Sequence, residues 1–106
     1  MGRTQKVYSG DRTIDGAVVY LDGSIFRASG PQDYSFEWGY EGTSPLELSR
    51  AILAEHLGDK GQAEILANSF MRDVVANFAN EWQMTSEDID SALKAISAHP
   101  GANRSA

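Results

Sequence analysis

The chain has 106 residues, and its 9 lysines and arginines stand against 15 aspartates and glutamates, which gives a formal charge of −6 at neutral pH. This length supports one domain with one modest core, and the acid excess argues against direct nucleic-acid binding. Because the chain has no cysteine, it has no disulfides or thiolate metal sites. No apolar run is long enough to span a bilayer or act as a signal region, so we expect a cytoplasmic protein without membrane contact.

The first predicted element is a hairpin whose turn is Asp22-Gly23. Both residues tolerate the positive φ angles that a two-residue type I′ turn requires. This turn pairs Tyr20 with Ile25, and both faces of the hairpin carry apolar side chains. One face can therefore pack on a core while the other supports a partner or a second copy of the chain, so a homodimer is an open alternative. A further strand over residues 6–9, ending at Gly10, is predicted to join this sheet.

The next element alternates aromatic and small or polar residues from Tyr34 to Tyr40. A strand here places Tyr34, Phe36, Trp38 and Tyr40 on one face. Two interpretations stay open, because this aromatic face can pack beneath helices as core or can bind a partner, as tyrosine and tryptophan often do.

Three helices are predicted after residue 44. Ser44 as cap, Pro45 in the first turn and Glu47 three residues after the cap predict a helix start, and Gly58 predicts its end. Apolar spacing predicts a second helix over residues 62–78, and Thr85 caps a third. We therefore expect an α+β fold, in which a small antiparallel sheet of three to four strands from the N-terminal half packs against three helices from the C-terminal half. The domain covers residues 1–97, and residues 98–106 form a flexible tail.

Catalytic and metal-binding patterns are missing from the sequence. Its two histidines, His56 and His99, are far apart, and Ser49 lies two helical turns, or roughly 10 Å, from His56. The acids Glu87 and Asp88 fit the first turn of a helix better than a metal site. We therefore predict no cofactor, no metal and no enzymatic activity.

The loop from Gly39 to Pro45 supports the alternative function. Gly42, Thr43 and Ser44 precede a predicted helix, where free backbone N–H groups can bind an anion. With His56 as an acid–base group, this loop would form a small-ligand, anion or nucleotide pocket of a binding or enzymatic domain. Glu41 would repel a phosphate, so capping of the helix is the favoured interpretation.

The negative charge is concentrated in one part of the chain. Residues 1–36 carry equal numbers of acids and bases, whereas residues 37–64 carry six acids and two bases. An acidic surface of this kind steers a basic partner. The predicted partner-binding residues are Tyr20, Glu37, Trp38, Tyr40, Glu41 and Glu55.

Three stretches of the sequence carry a family resemblance: Thr13-Ile14-Asp15-Gly16, the Phe-Glu-Trp-Gly-Tyr run at 36–40, and residues 51–59. They resemble a family of small proteins of unknown function from bacteria, archaea and phages. The resemblance spans roughly residues 6–90, although the family usually has a second glycine at the position of Glu41. It implies a compact domain and a mobile-element setting. By analogy with that setting, we expect a phage-type counter-defence inhibitor of the anti-CRISPR kind, which occupies a basic surface of a host protein or ribonucleoprotein complex.

Overall fold

The computed structural model describes residues 5–14, 16–26 and 36–98, and within them the chain forms four strands and three α-helices. The strands are β1 (Val7–Thr13), β2 (Gly16–Leu21), β3 (Ser24–Ile25) and β4 (Trp82–Thr85); the helices are α1 (Thr43–Leu57), α2 (Lys60–Asp73) and α3 (Ser86–Ala98). This confirms the predicted α+β fold class.

The sheet is antiparallel throughout, with the strand order β3-β2-β1-β4. The turn between β2 and β3 has φ angles of 52° at Asp22 and 88° at Gly23, and Tyr20 pairs with Ile25, as predicted. The predicted end of the first strand at Gly10 is wrong, because β1 continues to Thr13. Gly10 pairs with Val19 and Trp82 within the sheet, and a side chain has no room there, because a Cβ built on Gly10 would lie 2.2 Å from Trp82 Nε1.

Residues 36–40 are not a strand, and the position beside β1 is taken instead by β4. Gly39 has a φ of 88°, which turns the chain, and its N–H donates to the carbonyl of Val75 at 3.0 Å. Trp38 is fully buried, whereas Tyr40 is 49% exposed. The predicted single aromatic face is therefore wrong for these two residues, and Tyr34 lies outside the described residues.

The first helix begins two residues earlier than predicted, at Thr43 instead of Pro45. Gly42 is its N-cap residue and offers no side-chain cap, so Ser44 lies inside the first turn and the predicted capping box is not formed. Its C-terminal end is as predicted, because Gly58 adopts the left-handed conformation with a φ of 68°.

The other helices are set by local caps. Asp59 caps α2 by accepting a hydrogen bond from the N–H of Gln62, and α2 ends at Asp73 before a short 3₁₀ turn, Val75–Asn77, so the predicted helix to residue 78 is too long. In α3 the cap is reciprocal: Thr85 Oγ1 accepts from the N–H of Asp88 at 3.1 Å, and Asp88 Oδ2 accepts from the N–H of Thr85 at 3.0 Å. This confirms Thr85 as a cap. Of the predicted tail, residues 99–106 lie outside the described ones.

The core lies between the helices and one face of the sheet. Its fully buried members include Tyr8, Trp38, Leu48, Ile52, Leu53, Phe70 and Ile89. The opposite, outer face of the sheet carries Val18, Tyr20 and Ile25, and Ile25 is 59% exposed. Among the described helices, no segment combines the length and apolarity needed to cross a bilayer.

Candidate functional site

The guanidinium of Arg12 joins three segments of the chain at one end of the sheet. It donates to Glu37 Oε1 at 2.6 Å, to the carbonyl of Trp38 at 2.9 Å and to Asn80 Oδ1 at 3.1 Å. It also lies 4.8 Å from the centre of the Trp38 ring, within cation–π range. These four residues, Arg12, Glu37, Trp38 and Asn80, form the Arg12 junction, which ties β1 to the aromatic segment and to the loop before β4.

Trp38 anchors this junction in the core. Its ring meets Trp82 edge-on at 5.7 Å, and Trp82 in turn stacks on Phe78 at 4.2 Å. Since Trp38 is fully buried, it presents no surface to a partner in this conformation. Trp38 is therefore a core residue and not a partner-binding one, and it anchors the start of the segment that begins at Gly39.

Residues 39–42 form the Tyr40 loop, which is held at both ends. Gly39 is bonded to Val75, and the carbonyl of Gly42 accepts from the N–H of Leu46 at 3.0 Å. The Tyr40 ring packs over Gly42, where an added Cβ would lie 2.9 Å from Tyr40 Cε2. The loop therefore presents the exposed Tyr40 and Glu41 on a fixed backbone.

Glu41 differs from the other predicted acids in its pairing. Within the part of the chain that the structure describes, Glu41 forms no ion pair, whereas Glu37 is bound to Arg12. Glu55 Oε2 lies 2.7 Å from Lys6 Nζ. Two of the three predicted partner-binding acids are therefore already matched by cations of the chain itself.

The predicted partner-binding residues do not form one patch. Glu55 lies near the opposite end of α1 from Glu41: it follows Thr43, the first residue of the helix, by 12 residues, or about 18 Å along the helix axis. Tyr20 belongs to the outer face of the sheet. Of the predicted set, Tyr40 and Glu41 are exposed neighbours on the Tyr40 loop, whereas Glu37 is bound to Arg12 and Trp38 is buried.

The residues of the predicted small-ligand pocket are also divided. Ser44 and His56 are 12 residues apart on α1, or about 18 Å, so the loop with Gly42 and Thr43 cannot share a pocket with the imidazole. His56 Nε2 lies 2.6 Å from Asp90 Oδ1 on α3, and its side chain is largely buried. The hydroxyl of Ser49 donates to the carbonyl of Pro45 within the same helix. Among the described residues, no group of acids and histidines has a metal-binding arrangement.

Sequence reasoning missed two inward-facing residues of β1, Tyr8 and Arg12. Tyr8 is fully buried, and its hydroxyl has no hydrogen-bond partner among the described residues. Burial, with the charges of Glu55 and Asp22, raises the pKa of Tyr8 well above its usual value. The period of two along β1 is the signal that could have found both residues. Tyr8 lies within the predicted strand, whereas Arg12 lies beyond its predicted end at Gly10.

Comparison with known proteins identifies a family whose function is unknown. Residues 8–95 match a family described as a family of unknown function, DUF6166, and the chain belongs to this family. The match covers β1 to α3 and therefore includes the Arg12 junction and the Tyr40 loop. No curated protein and no solved structure matches the chain significantly.

Proposed function

We propose that this member of DUF6166 is a non-enzymatic, acidic protein-binding module that docks on a basic partner through Tyr40 and Glu41. The observation that carries the proposal is the half-exposed Tyr40 beside an unpaired acid, on a loop anchored from both ends. Tyrosine is enriched among the residues that dominate interface energetics. A loop that is already ordered loses little conformational entropy on binding, which favours affinity.

The charge distribution supports a basic partner. Lys6, Arg12 and Arg50 are each bound to a glutamate of the chain, and Arg50 is shared between Glu47 and Glu64. These cations are thus committed internally, while acids such as Glu41 remain available to a partner. An acidic surface speeds encounter with a basic protein, and this effect weakens as salt screens the charges.

The partner that we propose is a host protein or ribonucleoprotein complex with a basic surface. In a mobile-element setting, occupation of that surface would inhibit a host defence complex, as anti-CRISPR proteins do. This role rests on analogy and charge, and it is tested separately from binding. The outer face of the sheet, with Tyr20 and Ile25, is the surface on which a second copy would pack.

Capture from host lysate with paired variants tests the binding site. We expect the wild-type chain to retain a specific protein at low salt that the double variant Tyr40→Ala/Glu41→Lys loses. The matched control Ile65→Ala/Asp73→Lys changes one exposed apolar and one exposed acidic residue on α2 and should bind like wild type. Equal retention by all three proteins would refute the proposed site. Light scattering on the same samples separates a partner complex from a homodimer.

A plaque assay tests the counter-defence role. In cells with active CRISPR interference, expression of the wild-type chain should restore plating of a targeted phage, and expression of the Tyr40→Ala/Glu41→Lys variant should not. If capture succeeds while plating is unchanged, the module binds a protein but does not inhibit this defence.

A further inference from the structure

Ile14, at the turn between β1 and β2, is fully exposed to solvent. The turn that carries it is tight: Thr13 Oγ1 donates to the carbonyl of Gly16 at 2.8 Å, and Gly16 has a φ of 118°. Turns favour small and polar residues, and an isoleucine without packing contacts adds nothing to the stability of the core. The fold therefore gives no reason for an isoleucine at this position.

Ile14 belongs to the same end of the molecule as the Tyr40 loop. It follows Arg12 by two residues, and Tyr40 follows Trp38 by two residues, while the guanidinium of Arg12 bonds the carbonyl of Trp38. Each stretch of two residues spans at most about 7 Å, and the Arg12 side chain with its hydrogen bond to the Trp38 carbonyl adds about 11 Å, so the Cα atoms of Ile14 and Tyr40 lie within about 25 Å of each other. A standard interface buries about 800 Å² on each partner, which is a patch roughly 30 Å across. One partner can therefore cover both side chains.

The charges at this end favour a basic partner. Glu41 and Glu81 lie next in sequence to the segments that meet at the Arg12 junction, and within the described residues neither forms an ion pair. The cation at the centre of the junction, Arg12, is already bound to Glu37. The exposed side chains of Ile14 and Tyr40 thus belong to segments that are joined through Arg12 and flanked by unpaired acids, an arrangement that resembles the anchors and polar rim of a protein interface.

We propose that Ile14 is a second anchor of the docking surface and inserts into an apolar socket of a basic protein, beside the site that binds Tyr40. The inference rests on the proposed function and adds to it the shape and apolar character of the partner. The Arg12 junction holds the two anchors at a fixed separation, so that both sockets must lie on one rigid surface of the partner.

Site-specific photo-crosslinking in host cells tests this pairing. A photoreactive phenylalanine analogue is placed at position 14, 40 or 65, one at a time; Ile65 is the matched control, because it is a 72% exposed isoleucine on α2. We expect positions 14 and 40 to crosslink the same protein and position 65 not to do so. Crosslinking from 40 but not from 14 overturns the second anchor and leaves the proposed function standing. Crosslinking from 14 only, or from neither, overturns both.

Affinity measurements on the purified crosslinked partner complete the test. Ile14→Ser should weaken binding at least tenfold, as loss of a buried anchor does, whereas Ile65→Ser should change it less than twofold. Neither substitution should alter the thermal transition, because both side chains are exposed. Equal affinities of Ile14→Ser and wild type would overturn the role of Ile14 without affecting that of Tyr40.

Discussion

Substitution of Gly10 by alanine tests the contact that joins β4 to the centre of the sheet. A Cβ at this position would lie 2.2 Å from Nε1, 2.5 Å from Cε2 and 2.8 Å from Cζ2 of Trp82. Normal contacts between heavy atoms are about 3.5–4.0 Å, so the indole must retreat by more than about 1 Å. Phe78, stacked at 4.2 Å, and Trp38, edge-on at 5.7 Å, oppose that movement.

The expected loss of unfolding free energy is about 2 kcal/mol. Overpacking of a core costs about 1–3 kcal/mol, and an overlap at 2.2 Å puts this site at about 3 kcal/mol; replacement of a strand glycine by alanine returns about 0.5–1 kcal/mol. For a domain of this size, 2 kcal/mol corresponds to a fall in Tm of about 10 °C. Urea denaturation followed by tryptophan fluorescence measures the loss directly. Ser9→Ala, one position away on the outer face, is the control and should stay within about 0.5 kcal/mol of wild type.

A double-mutant cycle separates the clash from other effects. Trp82→Leu removes the indole, so that Gly10→Ala in this background should cost less than about 0.5 kcal/mol. Trp82→Leu by itself should be destabilising, because it leaves Trp38 and Phe78 without their partner. An equal cost of Gly10→Ala in both backgrounds would refute the steric argument.

Three further predictions concern the buried hydroxyl, the Arg12 junction and the divided ligand site. Tyr8→Phe should leave stability at pH 7 unchanged or raise it by up to about 1 kcal/mol, because it removes a buried hydroxyl that has no partner among the described residues. The pKa of Tyr8 is raised in the folded chain, whereas an unfolded tyrosine ionises near pH 10. The free energy of unfolding is therefore unaffected by Tyr8 ionisation below pH 10, and above pH 10 this ionisation lowers it by about 1.4 kcal/mol per pH unit. Tyr8→Phe should remove this contribution in alkaline denaturation curves, and an unchanged slope would contradict it. Arg12→Met should cost about 2 kcal/mol in urea, more than Lys6→Met, whose more exposed pair with Glu55 is worth less than about 1 kcal/mol; equal losses would count against the junction. Nucleotides and phosphorylated metabolites should not raise Tm, because the loop at Ser44 and the imidazole of His56 lie at opposite ends of α1; a stabilisation near the 2.7 kcal/mol expected at 100 times Kd would reverse this conclusion.

Features that depend on neighbouring residues were predictable from the sequence. The Asp22-Gly23 turn formed as predicted because the positive φ angles it needs are a property of those two residues. Gly58 ended α1 and Thr85 capped α3 for similarly local reasons. The predicted cap at Ser44 is wrong because Gly42 is the N-cap residue and makes no side-chain hydrogen bond, which places Ser44 inside the first turn.

Pairing of distant segments was not predictable in this way. Alternation between Phe36 and Tyr40 is equally compatible with a strand and with an extended segment whose polar groups bond elsewhere. The N–H of Gly39 donates to the carbonyl of Val75, and the guanidinium of Arg12 donates to the carbonyl of Trp38. These backbone groups therefore do not pair with a neighbouring strand. Residues 82–85 instead form β4, which pairs with the edge of β1 that β2 does not occupy.

The α+β class, the acidic charge, the Asp22-Gly23 turn, the helix end at Gly58 and the cap at Thr85 could all be predicted without the fold, because each depends on composition or on residues a few positions apart. Which aromatic and acidic side chains remain exposed and unpaired among the described residues depends on the fold. Trp38 was drawn into the core and Glu37 was bound by Arg12, while Tyr40 and Glu41 stayed exposed. The physical reason is that burial and ion pairing arise between segments that the chain brings together only when it folds.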